Sequence, residues 1–489
     1  MKTPGNSDIE RLADPGIFKS SAYINGQWRR SEATFSVTNP ADGGWIADVS
    51  AITAQESSET VTVAAAAFPA WAARLPQDRA AILYRWFGLV REHKEDLALL
   101  MTLEQGKPIS ESRGEIDYGA AFIEFFAEQA KRPDIMSVTS HLPNAEVEVW
   151  LEPVGVAALI TPWNFPNAMI TRKAAAALSV GCTVMVHPSR ETPLSALALA
   201  ELAQRAGFPP GVFNVVPGEA AEIVGQWTSD KRVRAVSFTG STEVGRLLYG
   251  QCAPTIKRLS LELGGHAPFI VFADASIDKA VDEAISAKFA TSGQDCLGAN
   301  RFFIERPVYD EYCRKFTLKT KQLSVGRGID DPEIGPLMNE RAVIKQIDHV
   351  EDAVARGARL LCGGTRLDLG PLFFAPTVLA DVPIDAKIMH EETFGPVAAI
   401  APFDDEDAVV SLANDTEYGL MAYVHTKDPS RIYRISRALQ FGMIGVNRSK
   451  VTGAPIPFGG MKQSGLGREG SQHGIEAFTD IKYVCRDWA

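Results

Sequence analysis

Apolar residues recur at helical spacing across residues 55–131, most regularly in Ile82–Val90 and Phe122–Ala130, so this stretch is predicted to be mostly helical. The first 50 residues read instead as an extended, turn-rich entry containing Tyr23-Ile24-Asn25-Gly26-Gln27-Trp28. Between Pro133 and Glu152 the period falls to two: Val147, Val149 and Leu151 interleave with Glu146, Glu148 and Glu152, which predicts a hairpin. From Val154 a strand–helix rhythm sets in. Strands are expected at Val154–Ile160, Thr183–Val186, Val212–Val216 and Ala235–Phe238. The helices between and after them are Met169–Ser179 (closed by Gly181), Pro193–Arg205 (closed by Gly207), Ala220–Trp227 and Ser241–Tyr249. Strands alternating with helices of this length imply parallel βαβ units and a doubly wound sheet. The rhythm resumes at Phe269–Phe272 and Phe302–Ile304 and runs to about residue 460, a second α/β domain. There is no internal repeat and no low-complexity linker.

Composition narrows the class. The 489 residues are 46% hydrophobic and 22% charged, ordinary for a globular chain of two or three domains. A formal net charge of -11 argues against nucleic acid as a partner; Lys231-Arg232-Val233-Arg234 is the nearest approach to a basic run and reads as a solvated turn. No apolar run reaches ~18 residues, which excludes an obvious membrane span. The start, Met1 to Asp8, has no apolar stretch behind it and does not resemble a secretory signal. Six cysteines, at 182, 252, 296, 313, 362 and 485, are scattered without CxxC pairs or metal-like histidine clustering, so no metal is expected. That usage fits a reducing compartment and a cytoplasmic address, and makes the Asn-x-Ser/Thr matches at Asn414 and Asn447 chance.

Several short motifs carry candidate chemistry. Gly465-Leu466-Gly467-Arg468-Glu469-Gly470 fits the G-x-G-x-x-G dinucleotide fingerprint, but too little chain follows to build a βαβ unit, and it is read as a flexible loop. Phe238-Thr239-Gly240-Ser241-Thr242-Glu243-Val244-Gly245 ends a strand and opens a helix. Free N–H groups there can meet a pyrophosphate, although a plain strand-to-helix turn with Ser241 as its cap has the same look. Cys296, in Ser292-Gly293-Gln294-Asp295-Cys296, differs from the other five cysteines by its polar, glycine-bearing surroundings. Glu262, between Leu261 and Leu263, suits a desolvated general base, or else a surface acid at a strand end. Asn164, between Pro162 and Pro166, is placed either to donate to an oxyanion or merely to cap a rigid turn.

Taken together, Trp163-Asn164-Phe165-Pro166, Gly240–Gly245, Glu262-Leu263-Gly264-Gly265, Gly293-Gln294-x-Cys296, Glu391-Glu392-Thr393-Phe394-Gly395-Pro396 and Pro457-Phe458-Gly459-Gly460 resemble the aldehyde dehydrogenase superfamily, in its order and spacing. Within it, Leu103-Glu104-Gln105-Gly106-Lys107-Pro108, Met169-Ile170-Thr171-Arg172-Lys173 and Gln463–Gly470 are most similar to succinate-semialdehyde dehydrogenases.

The resemblance implies a Rossmann-like dinucleotide-binding domain (1–131 and 152–262), an α/β catalytic domain (263–462) and a small β bridging element (132–151 and 463–489) that builds homodimers or homotetramers. It implies NAD or NADP as cofactor and a small aldehyde as substrate. Cys296 would attack the aldehyde as thiolate, with Asn164 and the Cys296 backbone N–H holding the oxyanion while hydride leaves to the nicotinamide. Glu262 would activate water to hydrolyse the thioester, and Lys173 and Glu469 match the supporting proton-relay positions. Glu392 would hold the nicotinamide ribose, with Phe394 and Trp163 nearby and Gly240, Ser241 and Gly245 at the pyrophosphate.

Departures from the pattern sharpen the expectations. His187-Pro188-Ser189-Arg190 stands where Lys-Pro-Ser-Glu is usual, so His187, Ser189 and Arg190 would face the adenosine ribose, with Arg190 favouring a 2′-phosphate. Ala290 replaces the arginine six residues before the nucleophile, and Gly298 the second cysteine after it. Arg172 is then expected to hold a substrate carboxylate, with Arg448 reaching in to help. Asp295 beside the nucleophile is unusual. Rival readings are a cysteine hydrolase (thioesterase or esterase) or a non-catalytic protein on the same fold. The first wants a Cys–His motif, which is absent from the sequence, and the second would be expected to have lost Cys296, Glu262 or Asn164.

Overall fold

A computed structural model of the chain describes residues 8–132 and 135–487. The amino-terminal stretch read for a signal, and Pro133 and Asp134 at the start of the expected hairpin, lie outside the described residues.

Two short hairpins open the chain, β1 (Ala22–Ile24) with β2 (Gln27–Arg29) and β3 (Thr34–Thr38) with β4 (Trp45–Ser50). The helical region resolves into α1 (Ala54–Ala72), α2 (Pro76–Glu92), α3 (Lys94–Gln105) and α4 (Ile109–Gln129). A reciprocal cap starts α1: Thr53 Oγ1 accepts from Glu56 N at 3.3 Å, and Glu56 Oε2 accepts from Thr53 N at 2.9 Å. The expected hairpin follows as β5 (Ile135–Val138) and β6 (Ala145–Pro153). The βαβ rhythm then runs β7 (Val156–Ile160), α5 (Ala168–Val180), β8 (Thr183–His187), α6 (Pro193–Ala206), β9 (Phe213–Val215), α7 (Ala220–Ser229), β10 (Val233–Thr239), α8 (Thr242–Cys252) and β11 (Arg258–Glu262). Its second half contains β12 (Ala267–Val271), α9 (Ile277–Phe289), β13 (Ala299–Glu305), α10 (Tyr309–Thr320), α11 (Glu340–Ala355), β14 (Arg359–Cys362), β15 (Thr377–Ala380), β16 (Val397–Phe403), α12 (Glu406–Asn414), β17 (Met421–His425), α13 (Pro429–Ala438) and β18 (Met443–Val446). Two strands close the chain, β19 (Gly465–Leu466) and β20 (Thr479–Asp487).

The first sheet has the order β19-β11-β10-β7-β8-β9-β1-β2, and its five central strands are parallel. Every residue of β7 and β8 is buried, as strands covered by helices on both faces require. Strand order reverses between β7 and β10, which lie side by side although other strands and helices separate them in sequence. The crevice beyond the carboxyl ends of such a pair is where ligands bind in doubly wound sheets. The second sheet, β14-β15-β16-β13-β12-β17-β18, is parallel except for β14. A third, antiparallel sheet joins β20, β6 and β5.

The Gly465–Gly470 segment departs from its reading as a flexible loop. Leu466 and Gly465 pair with Leu261 and Glu262 of β11, and Glu469 bridges to Phe458. A Cβ on Gly465 would lie 2.1 Å from the Leu261 carbonyl, so only glycine lets the strands meet. The expected bridging segment 463–489 is thereby divided: β19 joins the first sheet, and β20 the third.

Candidate active site

Cys296 sits in the loop between α9 and β13, held by an unusual backbone. Thr291, Ser292 and Gly293 have φ of 50°, 58° and 74°, three consecutive residues in the left-handed region. The loop is pinned on several sides. Ser292 Oγ exchanges hydrogen bonds of 3.0 Å with both backbone groups of Gly335, and Gln294 Oε1 accepts from Met338 N at 2.8 Å. A Cβ on Gly293 would lie 2.3 Å from the Gly395 carbonyl, so glycine is what brings this loop against Phe394–Pro396. The outcome is a thiol on the wall of two cavities at once, one of about 550 Å³ and one of about 460 Å³.

The smaller cavity opens at the β7/β10 crevice and is lined by Trp163, Asn164, Gly240, Ser241, Glu392 and Phe394 among others. Ser241 caps α8, accepting from Val244 N at 3.3 Å. Trp163 and Phe394 meet edge to face at 5.6 Å, and Glu392 Oε1 accepts from Gly265 N at 2.8 Å. Burial pushes the Glu392 carboxyl up to about 7. A helix amino terminus, an edge-to-face aromatic pair and a carboxylate offer the donor, apolar and acceptor groups that suit a nicotinamide dinucleotide, so these residues fit that cofactor.

Other residues expected at the cofactor lie outside this cleft. Gly245 lines a neighbouring small cavity, where a Cβ would meet the Leu263 side chain at 2.4 Å; it lets α8 approach Leu263. His187 is buried, with Nδ1 2.9 Å from the Val216 carbonyl, and burial lowers its pKa, leaving a neutral ring. Ser189 bonds Glu191. The Arg190 guanidinium covers Phe35 at 4.8 Å and pairs with Glu219 at 2.7 Å.

Behind the thiol lies a buried charged cluster. Glu262 ends β11 and is 2% exposed, which excludes the surface-acid reading. Neither of its carboxyl oxygens has a hydrogen-bond partner among the described residues. Burial, then the charge of Glu469, raises its pKa well above the carboxylate range. Glu469 bonds Lys173, which also donates to Ser237 Oγ at 3.1 Å. Glu469 Oε2 lies 2.6 Å from Arg172 Nε, an ion pair without hydrogen-bond alignment. Burial lowers the pKa of Lys173 against the opposing pull of Glu469.

Asn164 approaches the nucleophile loop directly, its Nδ2 donating to the Gln294 carbonyl at 3.1 Å. Its own carbonyl accepts from Lys107 Nζ at 2.6 Å, and Lys107 pairs with Glu115 at 2.7 Å and covers Phe165 at 4.2 Å. Lys107 and Glu115 were not read as site residues from the sequence. The one available signal was the Leu103–Pro108 stretch, and its contact lies 57 residues away.

The larger cavity is lined by both charges and rings, including Glu111, Tyr118, Phe165, Arg172, Asp295, Lys450 and Phe458. Arg172 is present as expected, stacked on Phe458 at 4.2 Å, but its ion-pair partner is Glu469. Arg448 is outside the lining; Lys450 takes the expected place. The backbone explains the exchange. Asn447 turns at φ 55° and is tied to Thr426, and Ser449 N donates to Glu283 Oε2 at 2.5 Å, which sends Arg448 away from the cavity. No histidine lines either cavity among the described residues, which removes the basis for a Cys–His hydrolase.

A thiol on the wall of two cavities, one of which fits a dinucleotide, with a desolvated carboxyl nearby, is an arrangement suited to a cysteine-dependent oxidoreductase. Residues 28–484 match the model of the aldehyde dehydrogenase family. The chain is 50% identical to the NADP-dependent succinate-semialdehyde dehydrogenase of Escherichia coli (strain K12), over 97% of this chain and 99% of that protein. It is also 50% identical to a non-phosphorylating aspartate-semialdehyde dehydrogenase of Halomonas elongata, over 97% of each. The crystal structure of an aldehyde dehydrogenase from Brucella melitensis biovar abortus 2308 superposes with a TM-score of 0.97 at 50% identity, covering 98% of this chain and 99% of that one. The chain belongs to the aldehyde dehydrogenase family and is an NAD(P)-dependent oxidoreductase acting on aldehydes.

Proposed function

We propose that the substrate is an aldehyde bearing a distal carboxylate, a semialdehyde of the succinate type, oxidised to the acid through a thioester on Cys296. The observation that carries this reading is the larger cavity, which joins Cys296 to Arg172 and Lys450, the two cations on its wall. A planar guanidinium donates two parallel hydrogen bonds to a carboxylate. With Nε facing Glu469, the terminal nitrogens lie beside Met169 and Tyr118, which also line the cavity.

Cys296 attacks the carbonyl carbon, and the Asn164 amide, together with the Cys296 backbone N–H, steadies the negative oxygen. A nicotinamide held in the smaller cavity would supply the acceptor for the hydride this carbon loses. Glu262, kept basic by burial, then draws a proton from the water that cleaves the thioester. Lys173 and Glu469 take the proton onward.

Trp163, Gly240, Ser241, Glu392 and Phe394 would hold the cofactor, and Arg190 would be the residue to meet its adenosine ribose. The protein acts in the cytoplasm, in keeping with six cysteines that are all unpaired. It assembles as a homodimer or homotetramer through the third sheet, where Met136, Val138, Ile481 and Tyr483 expose apolar surface. Among the described residues no helix is long and apolar enough to cross a membrane.

The test is a panel of succinate, glutarate and α-ketoglutarate semialdehydes against apolar aldehydes, with wild type and Arg172→Ala. A rise in KM confined to the acidic substrates is expected. An unchanged KM for all of them refutes the carboxylate reading.

A further inference from the structure

Half of the six charged residues on the wall of the larger cavity have an ion-pair partner within the protein. Glu115 pairs with Lys107 at 2.7 Å, Asp117 with Lys94 at 2.6 Å, and Arg172 with Glu469 at 2.6 Å. Three charges remain without an ion-pair partner among the described residues: Asp295, Glu111 and Lys450. Asp295 is the immediate neighbour of the nucleophile, and its Oδ1 accepts a backbone bond from Leu297 N at 3.0 Å. Glu111 receives Thr291 N on both oxygens, at 3.0 Å each. Thr291 thus ties Glu111 to the loop that carries Asp295. Lys450 is exposed. Asp295 lines only the larger cavity, whereas Cys296 lines both, so Asp295 lies on the side away from the smaller cleft.

An acidic semialdehyde with no other charge leaves this arrangement unmatched. Its carboxylate suits Arg172 and Lys450, while its uncharged carbons would lie against two partly desolvated carboxyls. Such groups are stabilised by an opposite charge.

We propose that the preferred substrate carries an ammonium group as well as a carboxylate: Asp295 and Glu111 take the ammonium, and Arg172 and Lys450 the carboxylate. The class is an amino-acid semialdehyde, and the inference rests on the reading of the cavity as one for acidic semialdehydes. In a four-carbon chain with the ammonium beside the carboxylate, the nitrogen is three bonds from the aldehyde carbon. A group bound to Cys296 through that carbon therefore carries its nitrogen only a few bonds from the nucleophile that Asp295 adjoins in sequence.

The same contact readies the nucleophile. Burial, then the charges of Asp295 and Glu262, push the Cys296 thiol well above its usual range. A substrate cation seated on Asp295 offsets that field and favours the thiolate where the correct aldehyde is bound.

The experiment compares the four-carbon amino-acid semialdehyde with the same chain lacking the amino group, in wild type, Asp295→Asn and Glu111→Gln. The Asp295→Asn side chain keeps the shape and an oxygen for the Leu297 bond while removing the charge. Wild type is expected to favour the aminated substrate at least tenfold in kcat/KM, and Asp295→Asn to bring the ratio near one. A second readout uses the Cys296→Ala protein, with and without Asp295→Asn. Calorimetry on the two product diacids, aminated and plain, should give the same loss of preference in Kd. A wild type that prefers the plain semialdehyde, or a ratio untouched by Asp295→Asn, overturns the proposal. So does an equal loss on both substrates, which would make Asp295 a servant of the thiol alone. If a neutral aldehyde outperforms both acidic ones, the underlying carboxylate reading falls too.

Discussion

Glu469 holds Arg172 and Lys173, adjacent residues on α5, through its two carboxyl oxygens, one facing each cation. One is a cavity-wall residue, and the other faces the interior beside Ser237. A single carboxylate therefore fixes both the cavity-wall side chain and the interior one.

Removing that carboxylate leaves two buried cations facing each other. Glu469→Ala is expected to destabilise the fold by about 3–5 kcal/mol, the cost typical of breaking a buried pair. Glu469→Gln should cost less and retain the packing. Urea unfolding of both variants, followed by substrate KM on the Glu469→Gln protein, separates the stability effect from the positioning of Arg172.

Cys296→Ala should abolish dehydrogenase turnover while cofactor binding, followed by fluorescence quenching, stays within about threefold. Glu262→Gln should still release a burst of reduced cofactor in rapid mixing but turn over at least ~100-fold more slowly, the usual scale of a lost general base. Equal loss of burst and turnover would show that Glu262 acts before the thioester forms.

Two groups predict a pH dependence with a definite sign. Burial, then the negative charges of Asp295 and Glu262, push the Cys296 thiol of the free enzyme well above its ordinary value. Iodoacetamide alkylation of this residue should therefore rise at higher pH than for an ordinary cysteine. Asp295→Asn should move the curve to lower pH, because it removes one of those charges. Burial, then the charge of Glu469, likewise raise the Glu262 carboxyl above the usual carboxylate range, so thioester hydrolysis should accelerate with rising pH as Glu262 loses its proton, and should do so at higher pH than for an ordinary glutamate. Mass spectrometry of alkylated peptides and single-turnover deacylation rates measure the two directly.

Cofactor preference should turn on Arg190 and Glu219. The 2.7 Å pair between them ties up the cation that would favour a 2′-phosphate, and its exposed setting makes it weak and exchangeable. Glu219→Ala is expected to improve NADP binding several-fold over NAD, and Arg190→Glu to reverse the preference. Dissociation constants for both cofactors on the three proteins test this. If neither substitution alters the ratio, position 190 does not read the ribose.

The elements that local chemistry announces were legible in the sequence. Gly181 and Gly207 ended their helices, the alternation around Val147–Leu151 gave a strand, and Cys296, Glu262 and Asn164 stood in short motifs of recognisable order. Contacts made across the fold were not. Nothing in the Gly465–Gly470 pattern reveals that Gly465 docks on Leu261, because that depends on where β11 lies. The choice of Lys450 over Arg448 rests on the turn at Asn447 and on Glu283, which is 166 residues from Ser449. Periodicity fixes which side of an element is apolar; it does not say which distant carboxylate will fix a loop's rotation. Lys173 and Glu469, 296 residues apart, were brought together only by the family resemblance, not by any local pattern.

The antiparallel pairing of Gly465 and Leu466 with β11 bears on how the enzyme is made. During synthesis, Glu262 leaves the ribosome some two hundred residues ahead of β19 and Glu469. At elongation rates of roughly 5–20 residues per second that interval is on the order of ten seconds or more. Through that time the nascent first sheet has an open edge at β11, while Arg172 and Lys173 lack their shared counter-charge. A chaperone that masks sheet edges would have its target here. Catalytic competence would begin only when the segment after Gly465 emerges, so a chain stalled before it would bear the Cys296 thiol without its completed relay.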